Sequence, residues 1–467
     1  MRIIHTSDWH LGQYFYGKSR ANEHQQFLQW LLVQVKEHCV NAVIVAGDIF
    51  DTATPPSYAR QMYFNFISEL QNFDCQLVIL AGNHDSVSML AESKELLGAL
   101  STRVIANVTD ITDSSNLAEQ VFTLKNKQGI AQAVICAVPF IRPRDVIKSQ
   151  AGQSATDKSK SLQQAIINHY QQLFKHAQQL SYQQSSSGQV DKENENKLPI
   201  IATGHLTALG VTSSDSVRDI YIGTLEALPS NAFPAADYIA LGHIHRAQKV
   251  GKTEHIRYCG SPIALSFDEA KQNKRVLLVD FEENQLSKIT DLIVPCSQPL
   301  AMLKTSLEAL SQDIESLIVE LLNTDFRNEN EELKLWLDIE LSNTGLLSDL
   351  QPKIIAIVKD FPVEILLVRR EKHVRKRLLL QHQQDQSTLN ELTLEEVFTS
   401  RLNQESWLAD EDDNSKNHAQ NKKALHQKMQ LQLLFKQTVE QVLKQDLVQS
   451  AGKKTLVKEN SSKEKAS

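Results

Sequence analysis

The chain is poor in cysteine, with 5 in 467 residues. Cys39, Cys75, Cys136, Cys259 and Cys296 lie far apart and form no C-x-x-C pair. That spacing excludes a zinc ribbon and a disulfide framework, and small buried thiols in a reducing compartment are the expectation. Long hydrophobic runs are missing as well. No stretch of about 18 apolar residues occurs, and Met1 to Thr6 leads straight into Ser7-Asp8 without an apolar signal region. A soluble, cytoplasmic protein without a membrane partner is expected. Positive charge is in deficit: 49 basic against 56 acidic side chains leaves −7, so the chain does not coat nucleic acid through net charge alone. Any contact with a polyanion must be local or metal-assisted. Gly251-Lys252-Thr253 resembles the end of a phosphate-binding loop, but Arg246 stands where its first glycine belongs, so no P-loop is present.

What remains is ordinary globular composition, 41% hydrophobic and 22% charged, in a length of roughly three domain-sized units. To about residue 280, short β-rich runs alternate with segments of helical period, the pattern of an α/β core. Strands are expected at Arg2 to Thr6, Ala42 to Ala46, Gln76 to Ala81, Ala133 to Val138, Ile200 to Thr203, Tyr238 to Leu241 and Arg275 to Asp280. Arg20 to Lys36 and Met89 to Leu100 read as amphipathic helices. The polar stretch from Gln183 to Asn196 reads as a flexible loop. After Pro295, Trp336 to Ile339 and Val363 to Val368 look like strands flanking a helix at Pro352 to Lys359, a small second domain. Leu394 to Leu402 and Leu425 to Leu447 read as helices, the second with an apolar face that wants a partner inside or outside the chain. The organisation expected is a first α/β domain over 1–290, a small second domain over 291–385, a helical segment over 386–449 and a disordered tail over 450–467.

Five strand candidates end in a narrow set of polar residues. Asp8 and His10 follow the first, Gly47-Asp48 the second and Gly82-Asn83-His84-Asp85 the third, with Gly204-His205 and Gly242-His243-Ile244-His245 after two later ones. Ligands in α/β folds bind at the carboxyl ends of strands, so these distant residues can converge on one site. Each glycine lets the chain turn sharply off its strand. Any one of these elements alone would be a turn or a cap; five in succession at strand ends point to a shared function. Carboxylate, amide and imidazole donors without thiolate suit two intermediate divalent ions such as manganese, iron or zinc. Two-metal hydrolysis is the chemistry implied.

The same segments carry a resemblance. Ser7-Asp8-Trp9-His10-Leu11-Gly12, Ala46-Gly47-Asp48-Ile49-Phe50-Asp51, Gly82-Asn83-His84-Asp85-Ser86, Thr203-Gly204-His205 and Leu241-Gly242-His243-Ile244-His245-Arg246 resemble the motifs of the calcineurin-like metallophosphoesterases. Pro55 to Arg60, Ile141 to Asp145, Val217 to Thr224 and Tyr258 to Pro262 narrow the resemblance to the bacterial SbcD nuclease subunits, over roughly residues 1 to 405. It implies a two-sheet metallophosphoesterase sandwich flanked by helices, an α/β (α+β) fold with a small α/β capping domain and C-terminal helices. It also implies one metal on Asp8, His10, Asp48 and His245, a second on Asp48, Asn83, His205 and His243, and His84 as general acid, with manganese as the cofactor. Asp51 and Asp85 are expected to orient the imidazoles. His5, His24 and His38 match no ligand motif and are expected to be scaffold.

By the same resemblance the partners are DNA and an SbcC-like ATPase, with two copies of this subunit in a heterotetramer. The activity implied is ATP-dependent 3′ to 5′ degradation of duplex DNA and endonucleolytic cutting of single strands and hairpins, in replication and recombination. The competing readings are a phosphatase or small-molecule phosphodiesterase on the same core, or a non-catalytic metal-bound scaffold. The basic runs Arg369-Arg370 and Arg375-Lys376-Arg377 read first as a solvated helix face, with contact to DNA phosphates as the alternative, and the loop arginines Arg142 and Arg144 are similarly ambiguous.

Overall fold

Continuous apolar strands are expected where a sheet is covered on both faces, and Ala42–Ala46 is buried at every position. A computed structural model of the chain describes residues 1–111, 116–147, 154–185, 197–217, 227–322, 334–342 and 350–370, together with 398, 402, 430, 431, 434 and 435. Met1–Glu371 and Lys372–Ser467 form two separate compact units.

The strands of the first unit are β1 Arg2–Thr6, β2 Tyr14–Phe15, β3 Lys18–Ser19, β4 Ala42–Ala46, β5 Gln76–Leu80, β6 Thr102–Ile105, β7 Val121–Lys125, β8 Ala131–Cys136, β9 Ile200–His205, β10 Tyr238–Gly242, β11 Gln248–Lys249, β12 Ile256–Tyr258, β13 Arg275–Glu282, β14 Gln285–Ile293, β15 Leu300–Thr305, β16 Leu335–Leu341 and β17 Val363–Arg370. Its helices are α1 Ala21–Glu37, α2 Ser57–Leu70, α3 Val87–Glu92, α4 Lys94–Gly98, α5 Leu117–Gln120, α6 Pro143–Val146, α7 Ala155–Ser185, α8 Leu310–Leu322 and α9 Leu350–Val358.

Two six-stranded sheets, ordered β14-β13-β1-β4-β5-β6 and β11-β12-β10-β9-β8-β7, make the expected sandwich. Strand alternation sends successive residues of β4 to different layers. Ala42, Ile44 and Ala46 meet Ile135, Ile201 and Ala240 of the other sheet. Val43 and Val45 face out, against Phe27 and Leu31 of α1 and Tyr63 and Phe66 of α2. On the far side, Val134, Ala202 and Leu241 are covered by Leu162, Ile166, Tyr170, Leu173 and Ala177 of α7.

Sequence reading did not find α7, whose apolar stripe recurs every three to four residues in a glutamine-rich background. Gln183 to Ser185, read as the start of a loop, are the last residues of α7; residues 186–196 lie outside the described set. The helix expected over Met89 to Leu100 is two short helices, broken at Ser93, which sits at φ −100° and ψ 2°. Cys75, Cys136 and Cys259 are buried, whereas Cys39 and Cys296 are exposed, and all five are free. No helix among the described residues is long and apolar enough to cross a membrane.

Beyond β14, β15, β16 and β17 form a parallel three-stranded sheet packed with α8 and α9 through Leu310, Ile314, Leu337, Ile339 and Ile354. Sequence reading found β16, α9 and β17 but not β15 or α8. In the second unit, Phe398 and Phe435 stack with centroids 3.9 Å apart, which joins the two segments read as helices. Apart from 398, 402, 430, 431, 434 and 435, residues 386–449 lie outside the described residues, as does the tail 450–467.

Candidate metal centre

β1, β4 and β5 are neighbours in one sheet and β9 and β10 in the other, so their carboxyl ends meet at one end of the sandwich. The turns there are tight. Asp8, His10, Asp48 and His243 all have positive φ (53°, 47°, 50° and 94°), a conformation costing about 1–3 kcal/mol at a non-glycine residue. They are held by backbone bonds: Asp8 N–H donates to Gly47 O at 3.0 Å and His10 N–H to Asp48 O at 3.0 Å. The Asp8 carboxylate accepts from His243 N–H at 2.9 Å. Two glycines are required by close approach. A Cβ on Gly47 would stand 2.1 Å from His205 Nδ1, and one on Gly242 1.9 Å from Ala46 O.

The structure brings together every residue singled out at the strand ends. Asp8, His10 and His245 form one group of buried donor atoms, and Asp48, His205 and His243 another; within each group the atoms lie within 4.8 Å of one another. A third group, His10, Asp48 and His84, links them. Asp48 Oδ2 lies 3.3 Å from His205 Nε2 and 3.6 Å from His10 Nε2. Asn83 Oδ1 completes the second group, 3.0 Å from His205 Nε2 and 3.1 Å from His243 Nδ1. His84, half-buried, packs edge-on to His10 with ring centroids 4.6 Å apart.

The outer partners decide which ring nitrogens face inward. His205 Nδ1 bonds to Ala46 O at 2.9 Å, so its N–H is used there and Nε2 is the nitrogen turned inward. His10 Nδ1 is 3.1 Å from Asp51 Oδ1, which likewise turns Nε2 inward. The Nε2 atoms of His10 and His243 are buried and have no hydrogen-bond partner. Unpaired buried polar atoms are costly, and the His10 Nε2 lone pair, 3.6 Å from Asp48 Oδ2, fits a cation; on His243 it is Nδ1 that faces Asn83 Oδ1.

The electrostatics agree. Burial works against charge on His205, but the Asp48 carboxylate outweighs it and pushes the imidazole up to about 9. Burial likewise opposes the Asp48 charge, yet His205 and His10 hold the carboxyl well below its usual range. Burial, with His205 as a neighbouring cation, drives His243 well below the ordinary imidazole value. The pocket therefore draws positive charge to its carboxylates while keeping an adjacent imidazole neutral, which is the form that ligates.

Asp51 has the orienting role expected of it. Asp85 does not: its buried carboxylate accepts from the backbone N–H of Ile49 (3.1 Å), Phe50 (3.0 Å) and Gly82 (2.8 Å), tying the β4 and β5 loops together. His5 is scaffold, its Nδ1 2.9 Å from Tyr238 Oη and its Nε2 3.2 Å from Leu241 O. Arg369 donates through Nε to Asp338 Oδ1 at 3.0 Å, a structural pair; 375–377 lie outside the described residues. Arg142 Nη2 donates to Asp85 O at 3.1 Å, beside the centre. Sequence reasoning missed Ser216 and Glu269, which stand behind His245; neither belongs to a motif, and only their position reveals them.

Comparison with known proteins matches residues 1–247 to the calcineurin-like phosphoesterase family and residues 296–406 to the family described as "Type 5 capsule protein repressor C-terminal domain". The SbcD chain of the SbcCD nuclease of Escherichia coli K12 is 49% identical over 402 residues, covering 86% of this chain and 92% of that protein. Its counterpart in Bacillus subtilis is 29% identical over 353 residues, covering 74% and 81%. That of Rhodobacter capsulatus is 30% identical over 308 residues, covering 65% and 71%. Agreement along nearly the whole chain, on a centre whose residues stand at the strand ends, makes this protein a member of the SbcD family of nuclease subunits within the calcineurin-like phosphoesterases.

Proposed function

We propose that this chain hydrolyses DNA phosphodiester bonds at a centre of two manganese ions, the first held by Asp8, His10, Asp48 and His245 and the second by Asp48, Asn83, His205 and His243. The observation carrying this reading is the pair of three-residue donor groups joined through His10, Asp48 and His84, with the unpartnered Nε2 of His10 beside Asp48. When bound, two such ions neutralise the phosphate oxygens and activate the attacking water. Asp48 would be shared by the two ions, a reading supported by its surroundings: Oδ1 accepts from His84 N–H at 2.9 Å, while Oδ2 faces His205 and His10. His84 is the general acid for the leaving alkoxide. Its Nδ1–H donates to Asp51 O at 2.7 Å, which fixes the ring and leaves Nε2 to deliver the proton.

Family membership supports the finer assignments. The protein works with an SbcC-like ATPase, as a pair within a heterotetramer in the cytoplasm. There it degrades duplex DNA 3′ to 5′ with ATP and cuts single strands and hairpins during replication and recombination. Residues 1–290 are the nuclease, 291–385 the cap and 386–449 the ATPase-binding segment. Exposure of Leu431 and Leu434 supports the last of these.

The test is a manganese-dependent assay on blunt duplex and hairpin DNA, with ATP and the ATPase partner. His84→Ala is expected to lose about 10²–10⁴-fold in rate while keeping both ions, and Asp48→Ala to lose cleavage and metal together. Intact DNA alongside phosphate release from small esters overturns the nuclease reading. Full cleavage by Asp48→Ala overturns the metal assignment.

A further inference from the structure

We propose that the turn Phe267–Glu269 is a positioning device linking the β15-β16-β17 sheet to His245, so that the seating of that sheet sets the affinity of one ion of the pair and not the other. The inference rests on the two-ion reading above.

Glu269 is fully buried and its carboxylate is saturated. Oε1 accepts from Ser214 Oγ at 2.6 Å and Ser216 Oγ at 2.5 Å. Oε2 accepts from Leu265 N–H at 3.0 Å and Lys274 Nζ at 2.5 Å. Because Ser216 gives its only proton to Glu269, its oxygen accepts from His245 Nδ1–H, 2.6 Å away. That chain fixes the tautomer of His245 and leaves Nε2 for the metal. A carboxylate with this many donors moves only if the whole turn moves.

Two residues earlier, Phe267 is buried on the other side of the turn. Its ring centroid is 5.0 Å from that of Phe15, and Phe15 stacks on Trp336 of β16 at 6.1 Å and 11°. Phe15, Phe267, Leu300 and Trp336 form one buried cluster, with Ala264 and Ala270 against it. The Arg20 guanidinium lies 5.0 Å from the Phe15 centroid and 5.8 Å from that of Trp336, and donates to Ala264 O at 2.8 Å. The 264–270 segment is thus held between the three-stranded sheet and the network behind His245. Phe15 is also only five residues past His10, the other imidazole of the first group. The second group is oriented from within the sandwich, through Ala46 O and Asn83. A shift of the sheet therefore reaches His10 and His245 before His205 and His243.

Manganese titration of the full chain, by calorimetry and by electron paramagnetic resonance of the bound ion, tests this. Wild type is expected to bind two ions. Ser216→Ala and Trp336→Ala should each weaken one ion about tenfold or more, the range for lost support of a ligand, and leave the other within twofold. Trp336→Phe, which keeps the stack, should restore both affinities, and Trp336→Leu serves if the alanine variant does not fold. Equal weakening of both ions, or no change in either, overturns the coupling. Fewer than two ions on the wild type overturns the two-ion reading itself, a result distinct from failure of the coupling.

Discussion

Gly242→Ala is the sharpest test of how the sandwich builds its centre. The added Cβ would stand 1.9 Å from Ala46 O and 3.0 Å from His205 Nδ1. An ordinary contact begins near 3.4 Å, so the ends of β10 and β4 must separate by about 1.5 Å along that line. Neither strand yields easily. β4 is hydrogen-bonded on both sides by β1 and β5, and β10 by β9 and β12. Ala46 O is also the acceptor that holds His205 Nδ1, so its displacement frees one imidazole of the second group. A misplacement of about 1 Å costs about 10²-fold in rate, and overpacking a core costs about 1–3 kcal/mol in stability. Gly242→Ala should therefore fold, lose at least about 100-fold in kcat/KM on duplex DNA, and bind its second manganese more weakly. Gly98→Ala is the matched control. Gly98 closes α4 with open space around its would-be Cβ, so the change should leave activity intact and stabilise by up to about 1 kcal/mol. Activity of Gly242→Ala within threefold of wild type, with both ions bound normally, would refute the reasoning.

Manganese should raise the melting temperature and EDTA reverse it. At 100 times its dissociation constant each ion contributes about 2.7 kcal/mol, and in differential scanning fluorimetry Asp48→Ala should show no such rise. His169, on α7, supplies a pH-dependent prediction away from the metals. Burial lowers it to about 4, and its buried Nε2 has no hydrogen-bond partner. The folded state therefore refuses a proton that the unfolded chain takes up below about 6.5. Its contribution is fully present above that pH and is lost as the pH falls toward 4, about 2 kcal/mol between pH 7 and 5. His169→Leu should reduce the acid loss by that amount in urea denaturation at the two pH values; an unchanged difference would show that His169 does not titrate on unfolding.

The net charge of −7 reads against a DNA enzyme only while the site is unseen. Asp8 and Asp48 belong to the centre, and cations held there invert its local sign toward phosphate. Net charge is a sum over the whole surface, whereas the donor groups are gathered at one end of one sandwich.

The chain by itself determined the strand runs, the α/β class and the kinds of donor at each strand end. These are local properties: a doubly buried strand must be apolar throughout, and a turn off its end needs glycine or a left-handed residue. The positions of Asp8, His10, Asp48, Asn83, His84, His205, His243 and His245 were legible for that reason, and the structure gathers all of them. The tertiary structure alone decided which imidazole nitrogen faces inward, because that is set by partners such as Ala46 O, 159 residues from His205 in sequence. It alone assigned Asp85 to the backbone of the neighbouring loop, 35 and 36 residues away. The Ser216–Glu269 pair behind His245, 53 residues apart, likewise has no periodicity or motif to announce it. Side chains that support a site act across the packing of one sheet on another, and that distance is closed only when the chain folds.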